Sequence, residues 1–274
     1  MPRFSHEGID FHYRDTGEGI PFIFQHGLGG DVDQPFGLFT PPDGIRLLAF
    51  DCRAHGETRP TGNAEKIGIR PFVDDLKAFL DHLEVDAAIV GGISMGAAIT
   101  LNFALRFPQR VRGLVQVRPA WLEGPNRDNA LVFGEIARLL REEGPEGGKT
   151  SFRDSQIYRE ALDKSPDSAN SLLGQFDNPR AIDGVARLER IPLDSVCAQL
   201  AELQDISVPT LVLANRQDTI HPFEFGPALA GAISKARFSE ITPKSVSVEQ
   251  YEQDAQRTIA EFIADVLKDD ATHA

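Results

Sequence analysis

Residues 87–96 read Ala87-Ala88-Ile89-Val90-Gly91-Gly92-Ile93-Ser94-Met95-Gly96. The first part, Ala87 to Gly92, is a short apolar run of the kind expected for a strand buried on both faces. Directly after it, from about Met95 to Phe107, the pattern is that of a helix. Between the two, Gly92-Ile93-Ser94-Met95-Gly96 has the form G-x-S-x-G. A serine at a tight strand-to-helix turn needs small flanking residues, and Gly92 and Gly96 supply them. Such a turn lifts the serine oxygen above the sheet edge. It also leaves the Met95 N–H at a helix N-terminus, where it can stabilise an oxyanion. A plain helix cap would account for a serine here, but the strand–turn–helix context favours the elbow.

Outward from the elbow, strand and helix patterns alternate. Upstream, Ile9 to Arg14 alternates apolar and polar residues before the turn Asp15-Thr16-Gly17-Glu18-Gly19. Pro21 to Gln25 and Arg46 to Phe50 are short buried strands, followed respectively by His26-Gly27-Leu28-Gly29-Gly30 and by Asp51. Ile69 to Leu83 places Phe72, Val73, Leu76, Phe79, Leu80 and Leu83 at helical spacing. Downstream, Arg112 to Val117, Val208 to Ala214 and Ala236 to Ile241 read as strands. A helix follows Pro222, and an amphipathic helix from Val248 to about Lys268 carries Tyr251, Ile259, Phe262, Ile263 and Val266 on one face. This alternation predicts an α/β fold, a mostly parallel sheet with helices on both faces. Residues 119–205 contain no convincing buried strand. Helical segments such as Ala130 to Arg141, interrupted by Gly144-Pro145-Glu146-Gly147-Gly148, make this stretch a helical insertion. The expected division is a core of residues 1–118 and 206–274 and an inserted unit of residues 119–205.

The chain has 274 residues and a formal net charge of −13. That balance argues against nucleic acid or an anionic membrane as partner. Cys52 and Cys197 read as free buried or half-buried thiols, and no Cys/His cluster suggests a zinc site. No signal-peptide pattern opens the chain and no apolar run is long enough to span a bilayer, so a soluble cytoplasmic protein is expected. The expected partner is a small-molecule substrate or ligand. The sequence leaves the oligomeric state open, a homodimer included.

Three motifs in order, His26-Gly27-Leu28-Gly29, Asp51-Cys52-Arg53-Ala54-His55-Gly56 and Gly92-Ile93-Ser94-Met95-Gly96, make the chain resemble the α/β-hydrolase superfamily over nearly its whole length. The resemblance implies a nucleophilic Ser94, an oxyanion hole formed by the Leu28 and Met95 N–H groups, and a cap over the active site built from the insertion. The acid of such proteins follows the strand after the cap, which selects Asp218 in Ala214-Asn215-Arg216-Gln217-Asp218. An ordinary turn aspartate before a proline-started helix is the alternative for that residue, and its position and order favour the acid. Relatives that act as dehalogenases or epoxide hydrolases carry an aspartate where Ser94 stands, so those activities fit poorly.

The resemblance also implies a histidine after the last strand, shortly before the final helix. Here that stretch is Glu240-Ile241-Thr242-Pro243-Lys244-Ser245-Val246-Ser247, and no histidine lies between His221 and His273. A serine hydroxyl is a poor nucleophile without a base to take its proton. His221, three residues after Asp218 in one loop, is the leading replacement, though it also reads as a surface histidine beginning the next helix. Lys244 reads as a solvated lysine unless burial lowers its pKa. His26 and His55 read as structural, His6, His12 and His82 as remote, and His273 as part of the C-terminal tail. Arg118, Trp121, Phe133 and Tyr158 are candidates for the pocket wall. The expected function is a serine hydrolase of a small carboxylic ester, lactone or thioester, with Ser94, Asp218 and His221 as catalytic residues. A lapsed member that binds a ligand, or one with lyase-type chemistry, remains open. No metal or organic cofactor is implied.

Overall fold

The computed structural model describes residues 2–124 and 131–273. Strands β1 (Arg3–His6), β2 (Ile9–Thr16) and β3 (Ile20–Gln25) come first, then α1 (Asp33–Leu38), β4 (Ile45–Phe50), α2 (Ile69–His82), β5 (Ala88–Ile93), α3 (Met95–Arg106) and β6 (Val111–Val117). Four helices follow: α4 (Leu131–Asp154), α5 (Gln156–Lys164), α6 (Pro166–Leu173) and α7 (Ala186–Arg190). The chain closes with β7 (Thr210–Ala214), α8 (Phe225–Ala232), β8 (Ala236–Glu240) and α9 (Val248–His273). The eight strands form one sheet in the order β1-β2-β4-β3-β5-β6-β7-β8. The β1–β2 and β2–β4 pairs are antiparallel and the remaining pairs parallel.

The mostly parallel sheet and the helices on its two faces match the sequence reading. Its strands β4 and β5 are buried almost throughout because helices cover both faces. On one face, α2 sets Phe72, Val73, Leu76, Phe79 and Leu80 against the core. On the other, α9 sets Tyr251, Ala255, Ile259, Phe262, Ile263 and Val266 against Phe22, Phe24 and Val115. Those spacings keep one stripe of each helix on the sheet. Strand β1 and helix α1 carry little sequence signal. β1 is four residues long with an alternating burial pattern, and α1 holds a proline and a glycine in six residues.

Helices α4 to α7 enclose a small core of their own, including Phe133, Ile136, Leu140, Phe152, Leu172 and Phe176. The expected break at Gly144 is present: its φ of 72° and ψ of 179° interrupt α4, and Pro145 begins the second half. Ala130, where that helix was expected to start, lies outside the described residues. Among the described residues no helix is long and apolar enough to cross a membrane.

The strand order reverses between β4-β3 and β5-β6, so β3 and β5 lie side by side while their outgoing connections leave in opposite directions. Open α/β sheets place ligand crevices at the carboxyl ends of strands beside such a reversal. The His26–Gly30 loop after β3, Ser94 after β5, Arg118 after β6, Asn215–His221 after β7 and Ile241–Lys244 after β8 all leave the sheet by its carboxyl edge.

Candidate active site

Ser94 sits in a turn that only this local sequence permits. Its φ of 54° and ψ of −108° are rare for a residue with a side chain. A Cβ at Gly92 would lie 2.0 Å from the Gly96 carbonyl carbon, and one at Gly96 would lie 2.3 Å from the Gln25 carbonyl oxygen. Both glycines are therefore required by main chain that cannot move aside. The Ser94 N–H donates to the Val117 carbonyl at 2.9 Å, tying the turn to β6. The hydroxyl is directed at a cleft, with the residue 9% exposed.

His221 Nε2 lies 2.8 Å from Ser94 Oγ, and His221 Nδ1 lies 2.9 Å from Asp218 Oδ2. His221 is therefore not a surface histidine at the start of a helix. It is buried, and it stands where an imidazole can receive the serine proton. The loop conformation follows from Asp218. Its Oδ1 accepts the N–H groups of Ile220 and His221, each at 3.0 Å, which curls the chain after it and turns the ring back toward Ser94. Ser168 of α6 donates to the same oxygen at 3.2 Å and accepts the Thr219 N–H at 3.1 Å. Arg118 Nε donates to Asp218 Oδ2 at 2.8 Å, and its Nη2 donates to Asp167 at 3.2 Å.

These contacts set the charge states. Burial alone would raise the Asp218 carboxyl, but His221 and Arg118 outweigh it and hold it well below the usual carboxylate range. The ionised carboxylate faces Nδ1, so that nitrogen carries the proton and Nε2 is left as an acceptor for the serine hydroxyl. The imidazole itself is pushed below its ordinary value, first by burial; Asp218 draws it back up and Arg118 pushes it further down.

Met95 and Leu28, the residues expected to supply the oxyanion donors, both adjoin this group. Met95 is the first residue of α3, so its N–H has no acceptor within the helix. Leu28 follows Gly27, whose Cβ position is 3.5 Å from the Ser94 Cβ. Side chains absent from the sequence reading hold that loop. Gln34 Oε1 accepts the Gly27 N–H at 2.7 Å, and Asn178 donates to the Gly29 carbonyl at 2.7 Å. Gln34 and Asn178 lie in polar surroundings without a motif, so only the folded loop identifies them.

His26 and His55 are held in structural contacts. His26 Nδ1 donates to the Gly27 carbonyl at 2.8 Å while its Nε2 accepts the Cys52 N–H at 3.0 Å. His55 Nδ1 lies 2.8 Å from the Arg53 carbonyl, and burial holds the ring well below its ordinary pKa. Arg53 makes a bidentate pair with the buried Asp75 at 2.7 and 2.6 Å. The Asp51–Gly56 motif therefore braces the core beneath the cleft.

The cleft is lined by Gly27, Leu28, Ser94, Arg118, Phe133 and His221, with Asp167, Asn170 and Gln175 from the inserted helices and Lys244 from the loop after β8. Of the expected wall residues, Arg118 and Phe133 are there. Trp121 is buried in the core on the α2 side of the sheet, and Tyr158 packs its ring against Phe152 at 5.8 Å. The expectation of a solvated Lys244 is corrected. The residue is half-buried at the cleft wall, because β8 ends next to β7 and its loop turns across the mouth of the site. Ser245, which stands near the place expected for the displaced histidine, is exposed and hydrogen-bonds Gln217 at 2.8 Å.

Comparison with known proteins places this geometry in context. Residues 20–244 match the sequence model of the alpha/beta hydrolase fold family. The chain is 37% identical over 229 residues to a 2-hydroxy-6-oxo-2,4-heptadienoate hydrolase of Pseudomonas putida, covering 79% of each chain. It is 26% identical over 266 residues to a 3-oxoadipate enol-lactonase of Acinetobacter baylyi, covering 88% of this chain and 93% of that one. An enol-lactonase structure from Burkholderia xenovorans superposes with a TM-score of 0.74 at 23% identity, covering 96% of this chain and all of the other. That last likeness is one of fold.

Proposed function

The chain belongs to the alpha/beta hydrolase fold family, and from that premise we propose that it is a serine hydrolase of small carboxylic esters or lactones, with Ser94 as nucleophile, His221 as base and Asp218 as the acid that orients it. The observation that carries this reading is the continuous chain of contacts from Asp218 Oδ2 through His221 to Ser94 Oγ, at 2.9 and 2.8 Å. Two of the relatives reported above carry the names of a lactonase and of a hydrolase of an oxo-acid, and both names agree with carbonyl chemistry on small molecules.

The steps follow from the geometry. Ser94 Oγ attacks the substrate carbonyl carbon as its proton passes to His221 Nε2. The carbonyl oxygen becomes an oxyanion that the Leu28 and Met95 N–H groups stabilise. Collapse breaks the bond to the leaving oxygen, which takes the proton from His221. Water then gives a proton to His221 and attacks the acyl carbon; the second tetrahedral species releases the carboxylic acid, and the proton returns to Ser94. Asp218 stays ionised throughout and stabilises the imidazolium. In this reading the inserted helices α4 to α7 roof the cleft and shape the substrate. An imidazole within hydrogen-bond reach of Ser94 favours the hydrolase over a lapsed member of the family.

A fluorophosphonate probe should add one phosphonyl group to the intact protein, located by peptide mass spectrometry on Ser94, with loss of activity toward 4-nitrophenyl acetate in step with labelling. Label on any other residue, or persistent turnover by labelled protein, defeats the proposal. The pH profile provides a second expectation. Activity needs neutral His221, which burial holds below the ordinary imidazole range, so kcat/KM is full at neutral pH and falls as acid protonates the ring. Arg118→Gln removes a positive charge that depresses the imidazole, so the acid limb should move to higher pH. An unmoved limb, measured at constant ionic strength, separates Arg118 from the base.

A further inference from the structure

We propose that Lys244 is a recognition residue for a substrate carboxylate, so that the preferred ester or lactone carries a free carboxylate at a distance from its reacting carbonyl. This deepens the hydrolase reading and rests on it.

Two cations line the cleft, Arg118 and Lys244. Arg118 is committed to Asp218 and Asp167, at 2.5 and 3.2 Å. Those are the two carboxylates of the site, and one of them also serves His221. Lys244 has no carboxylate within 4.0 Å among the described residues. The centroid of the Tyr251 ring lies 4.9 Å from the ammonium, and Asp167, Glu252 and Asp218 attract it only from farther away. The same ring lies 5.8 Å from the Arg118 guanidinium, so two cations lie against one aromatic ring.

That arrangement is unfavourable for the free protein. Burial, and after it the proximity of Arg118, push the Lys244 amine below its ordinary value. A half-buried ammonium with no carboxylate in direct contact recovers only part of its desolvation cost. Asp167 in the wall, with Glu252 and Asp218, offsets some of it at longer range, and an anion bound directly against the ammonium would relieve the rest. Asn170, Ser171, Gln175 and Gln34, the other polar wall residues, are neutral. A single ammonium matches a monoanionic carboxylate better than a phosphate, which calls for several convergent donors. The overall charge of −13 repels anions at long range, so any preference for them must arise from a local cation such as this one.

The position of Lys244 supports the assignment. It lies in the loop after β8, the stretch where the resemblance placed the catalytic histidine. With the imidazole supplied by the loop after β7, the loop after β8 is free to contact substrate.

The test compares two esters with the same leaving group, the 4-nitrophenyl monoester of adipic acid and 4-nitrophenyl hexanoate. The ratio of their kcat/KM values should favour the adipate ester, fall about tenfold or more in Lys244→Gln, and recover in part in Lys244→Arg. A ratio unmoved by Lys244→Gln, with both esters losing equally, overturns the proposal and leaves the hydrolase reading in place. Calorimetric binding to Ser94→Ala decides the matter without turnover. Monoethyl adipate should bind more tightly than ethyl hexanoate, and the difference should vanish in Ser94→Ala/Lys244→Gln. Equal binding of the two compounds also overturns the proposal. If neither nitrophenyl ester is cleaved by the wild-type chain, the hydrolase reading fails, and the calorimetric comparison alone decides the role of Lys244.

Discussion

Replacing His221 by alanine should lower kcat toward 4-nitrophenyl acetate by roughly four to six orders of magnitude, with a much smaller change in KM. The size follows from the absence of a second base. Among the described residues, His221 is the only side chain hydrogen-bonded to Ser94 Oγ. His26 and His55 are buried and engaged with main chain, so neither can move to the serine without breaking the support of its own loop. The KM should change little because the imidazole contacts the nucleophile while the wall of the cleft is otherwise intact. The loss is not one of folding: the loop is held by the Asp218 bonds to the Ile220 and His221 N–H groups, which alanine keeps. Circular dichroism and thermal unfolding of the variant should therefore stay close to wild type. A loss under tenfold would mean that another group takes the proton. Lys244 would then be the first residue to examine, since it lines the same cleft and its amine is depressed by burial.

Most of the fold could be read from the chain, because strands covered on both faces must be apolar without interruption. Ala87 to Gly92 and Leu211 to Ala214 have that pattern, and it survives errors of one or two residues at the ends. The elbow was equally legible, since contacts at 2.0 and 2.3 Å leave no choice but glycine at 92 and 96. The base was harder. The spacing of Asp218 and His221 is compatible with a ring facing water or facing Ser94. What decides between them is the main-chain turn that Asp218 makes with its own Oδ1, together with Ser168 from a helix fifty positions earlier. No local pattern reports a contact of that range. Lys244 was misjudged for a related reason. Lysine is usually solvated, and its half-burial here arises from the path of the loop after β8 and from the Tyr251 ring beneath it. Gln34 and Asn178 bear no signal at all, because an amide that props a loop looks the same in sequence as one in water.

Ser94→Ala should abolish turnover to a similar or greater extent, roughly six orders of magnitude in kcat, and the double variant Ser94→Ala/His221→Ala should be no slower than the worse of the two single variants. In the proposed mechanism the two side chains perform one act. His221 accelerates the reaction by accepting the Ser94 proton, so once the hydroxyl is gone the imidazole has no proton to take. The residual rate in all three variants then comes from the main-chain donors at Leu28 and Met95 and from binding in the cleft, which none of the substitutions touches. Alanine at 94 preserves the turn as well. The strained backbone is pinned by the Ser94 N–H bond to Val117 and by the bond from the Ala98 N–H to the Ser94 carbonyl, both main-chain contacts. Burst-free, single-exponential traces at the residual rate should be seen with 4-nitrophenyl acetate. If instead the losses multiplied, giving a double variant far slower than either single one, His221 would be acting on water or substrate independently of Ser94. The chemistry would then be general-base hydrolysis without an acyl-enzyme, and the serine would serve only to bind.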